Sequence, residues 1–300
     1  MVRTGRDPAS LLPELRQALY ELDPRLPMMN TASLDEIVSA ATAQERFTLG
    51  LLLVSAISLI LPLELGSHPK PAEARVETRA KADVYVLASL YRRHEEIRSY
   101  DLAALRRTVV AIRPDVLIVD CTPTEVRERR GSPGKIEYPG VIFPLADSRR
   151  WEMYAAEPDE PLFSEIVERG TAARRTAAAT QPDAVAALKA YESGVYAVLA
   201  QHWQSPAAVH DDVTVAVLEG LIALEARYYG DAQIRWDRHW TDVILQAVDE
   251  NPGQRLLAIT GVKNRPRIIR ALREDPRVNL IDVPAWLQSH AGITGRKLPE

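Results

Sequence analysis

The chain predicts an α/β (α+β) fold built on a mixed, largely parallel sheet, and three observations predict it. Residues 83–121 run strand, helix, strand, in the order Asp83-VYVLASL-Tyr91, Asp101-LAALRRTVVAI-Arg113 and Asp115-VLIVD-Cys121. Residues 255–284 repeat that grammar, with strands at Arg255-LLAIT-Gly261 and Val278-NLIDV-Pro284 around a helix from Pro266 to Glu274. Between the two, residues 158–238 are almost wholly helical, which makes them an insertion.

Each element has a local cause. The run VLIVD is apolar without alternation, the pattern of a strand covered on both faces. The segment 101–113 spaces its apolar residues at three and four, begins at Asp101 and is stopped by Pro114. A strand, a crossing helix and a second strand imply a parallel pair with a right-handed crossover. The middle holds an alanine-rich stretch from Ala172, a helix through Ala184–His202, and another over Asp211–Tyr229. A further helix covers Asp237–Glu250.

The residues before this domain have a different character. Residues 1–46 read as a short helical segment in two pieces, parted by the DPRLP run at Asp23–Pro27. Phe47–Leu63 is a hydrophobic helix of seventeen residues without charge, at the lower limit of about 17 for crossing a bilayer. Residues 66–77 are a polar, proline-bearing linker in which Ala72-Glu73-Ala74 matches the A-x-A pattern of a signal-peptidase site. The run at 47–65 is therefore expected to be a membrane anchor, or a signal core if translation starts at Met28 or Met29. The α/β domain then occupies 78–290. The expected location is membrane-anchored or extracytoplasmic, and cytoplasmic if 47–63 is instead buried.

Composition excludes some functions. A net charge of -4 gives no general basicity for nucleic acid, which is not an expected partner; a small molecule or peptide is expected instead from the family resemblance given below. The single cysteine, Cys121, allows neither an internal disulfide nor a thiolate zinc site. The six histidines form no HExxH or His-x-His pattern.

Ligand sites in parallel sheets lie beyond the carboxyl ends of the strands. Strand ends single out His94, Asp120 and Asn264, and two further places carry candidate side chains: the loop at Glu137 and the helix head at Arg235 and Arg238. His94, past the first strand, is a metal ligand or general base, or an ordinary loop histidine. Asp120, ending VLIVD, points a carboxylate into the same crevice or caps the next turn. Glu137 opens a Glu-Tyr-Pro loop. Arg235 and Arg238, one turn apart at the head of a helix, suit a carboxylate or phosphate, while Trp236 and Trp240 share a face and suit the core. Asn264 follows a late strand and can bond a ligand or simply make a turn.

In that order ASLYRRH, LIVDCTP, RWDRHW and ITGVKN, with the EYP run at 137–147, resemble the TraB/ChaN/Tiki-like (erythromycin-esterase-like) superfamily over about 83–284. The resemblance implies a metal-dependent hydrolase of the peptidase or esterase kind, with His94, Asp120, Glu137 and Arg238 catalytic. A divalent metal would sit on His94 and Asp120, and Asn264 and Arg235 would hold ligand. This chain departs from the family pattern at Ala88-Ser89, where the family has Gly-Thr, and at Asn264, where it has histidine. An amide is a poor metal ligand and proton acceptor, so the implied hydrolase is weakened, or becomes a non-catalytic binding module of the same fold. Residues 1–60 separately resemble a fragment of a MacB/FtsX-type export permease. That resemblance implies, as a further alternative, an accessory piece of a transporter.

Overall fold

The computed structural model describes residues 80–294, so the expectations for the helical fragment, the 47–63 run and the linker lie outside the described residues. Among the described residues no helix is long and apolar enough to cross a membrane.

Five parallel strands form one sheet: β1 (Ala82–Ser89), β2 (Val116–Val119), β3 (Glu152–Ala155), β4 (Arg255–Gly261) and β5 (Val278–Leu280). Their order is β3-β2-β4-β1-β5, and every described pairing is parallel, where a mixed sheet was expected. β1 and β2 are joined by helix α1 (Leu102–Ile112) but are not neighbours, contrary to the expected pair. β4 returns from the helical middle and slots between them, Val86 beside Ala258 and Ile118 beside the same residue. No local pattern signals such an insertion, because the buried faces of a central strand look alike whichever strand it meets.

α1 follows its sequence closely. Asp101 accepts the Ala104 N–H at 2.7 Å as N-cap, and Arg113 closes the helix in the left-handed region with φ 53°. α2 (Pro123–Glu128) begins with a reciprocal capping box between Thr122 and Glu125. A π turn (Tyr138–Ile142) runs directly into α3 (Phe143–Arg149), so Glu137 stands at a helical entrance where a loop was expected. The helical middle comprises α4 (Leu162–Thr180), α5 (Pro182–His202), α6 (Pro206–His210), α7 (Asp212–Tyr229) and α8 (Ala232–Glu250). After β4 come α9 (Arg265–Arg273), β5, α10 (Val283–Ser289) and α11 (Ala291–Thr294). The last strand is thus three residues long, since Asp282 caps α10 by accepting the Ala285 N–H.

Alternate residues of the strands feed two separate cores. Tyr85, Leu87, Leu117, Val119, Leu257 and Ile259 pack under α1, the π turn, α3 and α10. Val84, Val86, Val116, Ile118, Leu256 and Ala258 pack against Trp240, Ile244 and Val248 of α8 and Ile268 and Leu272 of α9. The result is a sheet covered on both faces, as continuous apolar strands require.

The carboxyl ends of the strands are finished by side chains. β5 reaches only as far as Val84 along β1, which leaves the outer edge of Val86 to Ala88 without a strand. Arg265 Nε donates to Val86 O at 2.9 Å, the Ala88 N–H donates to His210 Nε2 at 2.9 Å, and Tyr100 Oη donates to Ala88 O at 3.0 Å. Three side chains thus stand in for a missing strand, as buried backbone groups demand.

Candidate functional site

The ladder between β2 and β4 ends at Val119 and Ile259. Beyond it the strands part, and Tyr138 Oη fills the gap, donating to Ile259 O at 2.9 Å and accepting the Asp120 N–H at 2.9 Å. That parting opens a crevice of about 790 Å³ beyond the carboxyl ends of the strands, where parallel sheets bind ligands.

Asp120 is its buried acid, 2% exposed. Tyr91 Oη donates to Asp120 Oδ2 at 2.5 Å. Lys135 Nζ donates to Asp120 O at 2.6 Å, lies 3.5 Å from Oδ1 and also pairs with Glu157. Burial opposes the Lys135 ammonium, but the carboxylates of Asp120 and Glu157 outweigh it and raise its pKa. Burial pushes the Glu157 carboxyl up to about 7 although Lys135 pulls it down. Tyr91, Asp120, Lys135 and Glu157 therefore form one connected acid–base set on the wall of the crevice.

Tyr91 reaches Asp120 by an unusual route. Its backbone is left-handed, φ 53°, a conformation that bulky side chains avoid. Its ring lies over Gly261, where a Cβ would come within 2.3 Å of the hydroxyl. Gly261 is thus required by the close approach of Tyr91.

Behind this set lies a second, fully buried group. Ser89 Oγ donates to Glu137 Oε1 at 2.6 Å and accepts the Tyr91 N–H at 3.1 Å. Glu137 Oε2 has no partner, and burial raises this carboxyl to about 7 despite the Ser89 hydrogen bond. His94 is buried beside it. The Leu90 N–H donates to its Nε2 at 3.1 Å, which places the ring proton on Nδ1, donating to Tyr100 O at 2.7 Å. Both ring nitrogens are spent on backbone groups, and burial lowers the pKa of His94, so the imidazole is neutral. While those bonds stand, His94 has no lone pair to offer a metal or a substrate proton.

The remaining expected residues divide. Asn264 lines the crevice, with its Oδ1 accepting from Gln233 at 3.3 Å. Arg235 and Arg238 do not line it: they sit inside α8, whose true start is Ala232, Arg235 pairing with Glu165 and Arg238 being exposed. Trp236 lines the crevice instead, and Trp240 is buried in the core. Cys121 is a free, buried thiol whose pKa burial raises, an inert state. Among the described residues no three His, Cys, Asp or Glu side chains are arranged to hold a metal ion. His94 and Asp120 thus do not make the ligand set that a divalent metal would need.

Sequence reasoning overlooked Tyr91, Lys135 and Glu157. Tyr91 had one available signal, its position directly after a strand end that also carries His94. Lys135 and Glu157 had none, because they come from the turn before the π helix and the end of β3.

No family model, no curated protein and no solved structure matches the chain.

One consequence concerns pH. A carboxyl near 7 when folded and near 4.5 when unfolded binds more protons in the native state between those values, so it costs stability as pH rises through 7. Glu137→Gln keeps an acceptor for Ser89 and removes the buried charge. The variant is expected to match the parent in chemical unfolding at pH 5 and to exceed it by about 1–2 kcal/mol at pH 8. A gain that is equal at both pH values would contradict an ionising Glu137.

Proposed function

We propose that residues 80–294 form a TraB/ChaN/Tiki-like domain that hydrolyses a small polar molecule or peptide in the crevice, without using His94. Asp120 is the base that takes a proton from the attacking water. Glu157, with its carboxyl near 7, returns a proton to the leaving group, and Lys135 and Tyr91 hold both acids and steady developing negative charge. The observation that carries this reading is Tyr91. A tyrosine held in a left-handed backbone over a glycine, to donate a 2.5 Å hydrogen bond to a buried carboxylate at a cleft, is strain placed where chemistry would use it.

A second reading, a binding module without catalysis, has its own support. Lys135 already links the Asp120 carbonyl and the Glu157 carboxylate, so the acid–base set is satisfied internally. One experiment separates the two: the full-length protein is offered chromogenic esters, amides and short peptides between pH 5 and 9. Hydrolysis that follows an ionisation near 7 and falls at least about 100-fold in Asp120→Asn supports the enzyme. No turnover on any substrate, with a ligand-induced rise in melting temperature that survives Asp120→Asn, establishes the binding module instead.

We also propose that 47–63 anchors the domain at a membrane or directs its export. Cell fractionation with N-terminal sequencing of the mature chain tests this, and a soluble cytoplasmic chain beginning at Met1 would reject it.

A further inference from the structure

A second cavity, of about 770 Å³, lies at the opposite edge of the sheet, by the amino ends of β2 and β4. It is large enough for a cofactor-sized molecule, since such pockets run from about 300 to 1,000 Å³. Its charge balance differs from that of the first crevice. There Lys135, Lys263 and Arg267 each face a carboxylate, Glu157, Glu225 and Asp237, while Arg93 and Arg174 lie over the rings of Tyr196 and Tyr229 and Arg92 also lines the wall. Here Arg113, Arg149 and Arg255 line the wall with one acid, Asp115. Asp115 accepts the backbone N–H of Arg255 at 2.9 Å and forms no ion pair with the side chains of Arg113, Arg149 or Arg255.

The ordinary role for arginines at this place is to neutralise the carboxyl end of a helix. Arg255 fills it for α1, with Nη1 donating to Ile112 O at 2.8 Å, while its buried Nε has no partner. Arg113, projecting from the left-handed residue that ends α1, and Arg149, in the last turn of α3, remain exposed and meet no carboxylate among the described residues. Two half-buried indoles, Trp151 and Trp286, form the apolar part of the wall; Trp286 is braced edge-on by Tyr85 at 5.8 Å and carries His290 stacked on one face at 4.2 Å, so its other face and the Trp151 ring are what a ligand can meet. Guanidinium forks match phosphate oxygens, and indole faces and edges suit a flat heterocycle.

We propose that this cavity binds a nucleoside mono- or diphosphate, with Arg113 and Arg149 on the phosphate and Trp151 and Trp286 against the base. The site is separate from the crevice and does not depend on the reaction proposed there.

The test is a titration of the full-length protein, followed by calorimetry and tryptophan fluorescence, with ADP, adenosine and inorganic phosphate as separate probes. Saturable ADP binding is expected, weakening as salt rises, with adenosine and phosphate each bound at least about tenfold more weakly. Arg149→Ala and Arg113→Asn are expected to weaken ADP about tenfold each. Both positions are exposed, and asparagine tolerates the left-handed backbone at 113, so circular dichroism should match the parent. Asp120→Asn should leave ADP binding unchanged. The assignment is overturned by no saturable ADP response up to millimolar concentration, or by affinity unaltered in both arginine variants. It is equally overturned by phosphate binding as tightly as ADP, or by loss of ADP binding in Asp120→Asn alone.

Discussion

Gly261→Ala is expected to lower stability by about 1–3 kcal/mol and to abolish function at the crevice. The added Cβ would lie 2.3 Å from Tyr91 Oη, 2.8 Å from Cζ and 3.0 Å from Cε2, distances that only movement of the ring can relieve. Moving the ring breaks its hydrogen bond to Asp120 and leaves a carboxylate that is 2% exposed with one donor fewer. For a domain of this size each kcal/mol lowers the melting point by about 2–4 °C. Tyr91→Phe separates the two losses, since it removes the hydroxyl while keeping most of the ring over Gly261. Its stability cost should be smaller, and its effect on hydrolysis or ligand binding comparable. Tyr91→Ala combined with Gly261→Ala should cost less than the sum of the single changes, because the clash is gone once the ring is absent. Simple additivity in thermal unfolding would mean that Gly261 is not held by its contact with Tyr91.

Arg265→Met should be the most damaging single change in the framework, costing about 3 kcal/mol or more. Arg265 is 5% exposed and donates to Val86 O and His210 O, each at 2.9 Å. Burial lowers its pKa to about 10, so it stays cationic at neutral pH without a paired carboxylate. Its methylenes can be replaced by Met, but the two carbonyls would then be buried and unsatisfied, at about 1–3 kcal/mol each. Arg265→Lys should fall between parent and Met, because one ammonium cannot span both acceptors in the fork geometry. Guanidinium denaturation of the three proteins would show the order, and equal stability of Lys and parent would contradict a forked role.

His210 adds a pH signature to the same edge. Burial and the Arg265 charge hold its pKa well below 6.5, so the folded chain keeps it neutral while the unfolded chain protonates it below that value. Its contribution to stability is complete above 6.5 and is lost as pH falls. The carboxyls of Glu137 and Glu157 act the opposite way over 4.5 to 7, gaining stability as pH falls. The two slopes oppose each other between about 4.5 and 6.5, so the net pH dependence of stability there is smaller than either group alone would give.

Most strand and helix identities in 83–274 were legible because they rest on local causes, period, caps and prolines; β3, α2, the π turn and α3 were not expected, being short segments without a clear period of their own. Asp101 and Pro114 bound α1 where the sequence places them, and the unbroken apolar run of VLIVD does become a strand buried on both faces. The carboxyl-end rule likewise led to Asp120 and Asn264, since position after a parallel strand is a matter of chain direction. His94 shows the limit of that rule. It lies after the right strand, yet a 3₁₀ turn over Tyr91–Glu95 and the carbonyl of Tyr100 fold it inward, and Tyr91 takes the place facing Asp120. Nothing in the spacing of ASLYRRH distinguishes the two side chains, because which one points into the crevice depends on the left-handed φ of Tyr91 and on the bare backbone of Gly261, more than 160 residues away. Arg238 failed for a related reason: α8 starts at Ala232, so the arginine rides one turn further along the helix on its exposed side. Chain-local chemistry therefore decided which segments become strands and helices and where a parallel sheet would open. Long-range packing alone decided that β4 separates β1 from β2, that Lys135 and Glu157 meet Asp120, and that arginines gather at the far edge, because each of these depends on contacts that no stretch of sequence contains.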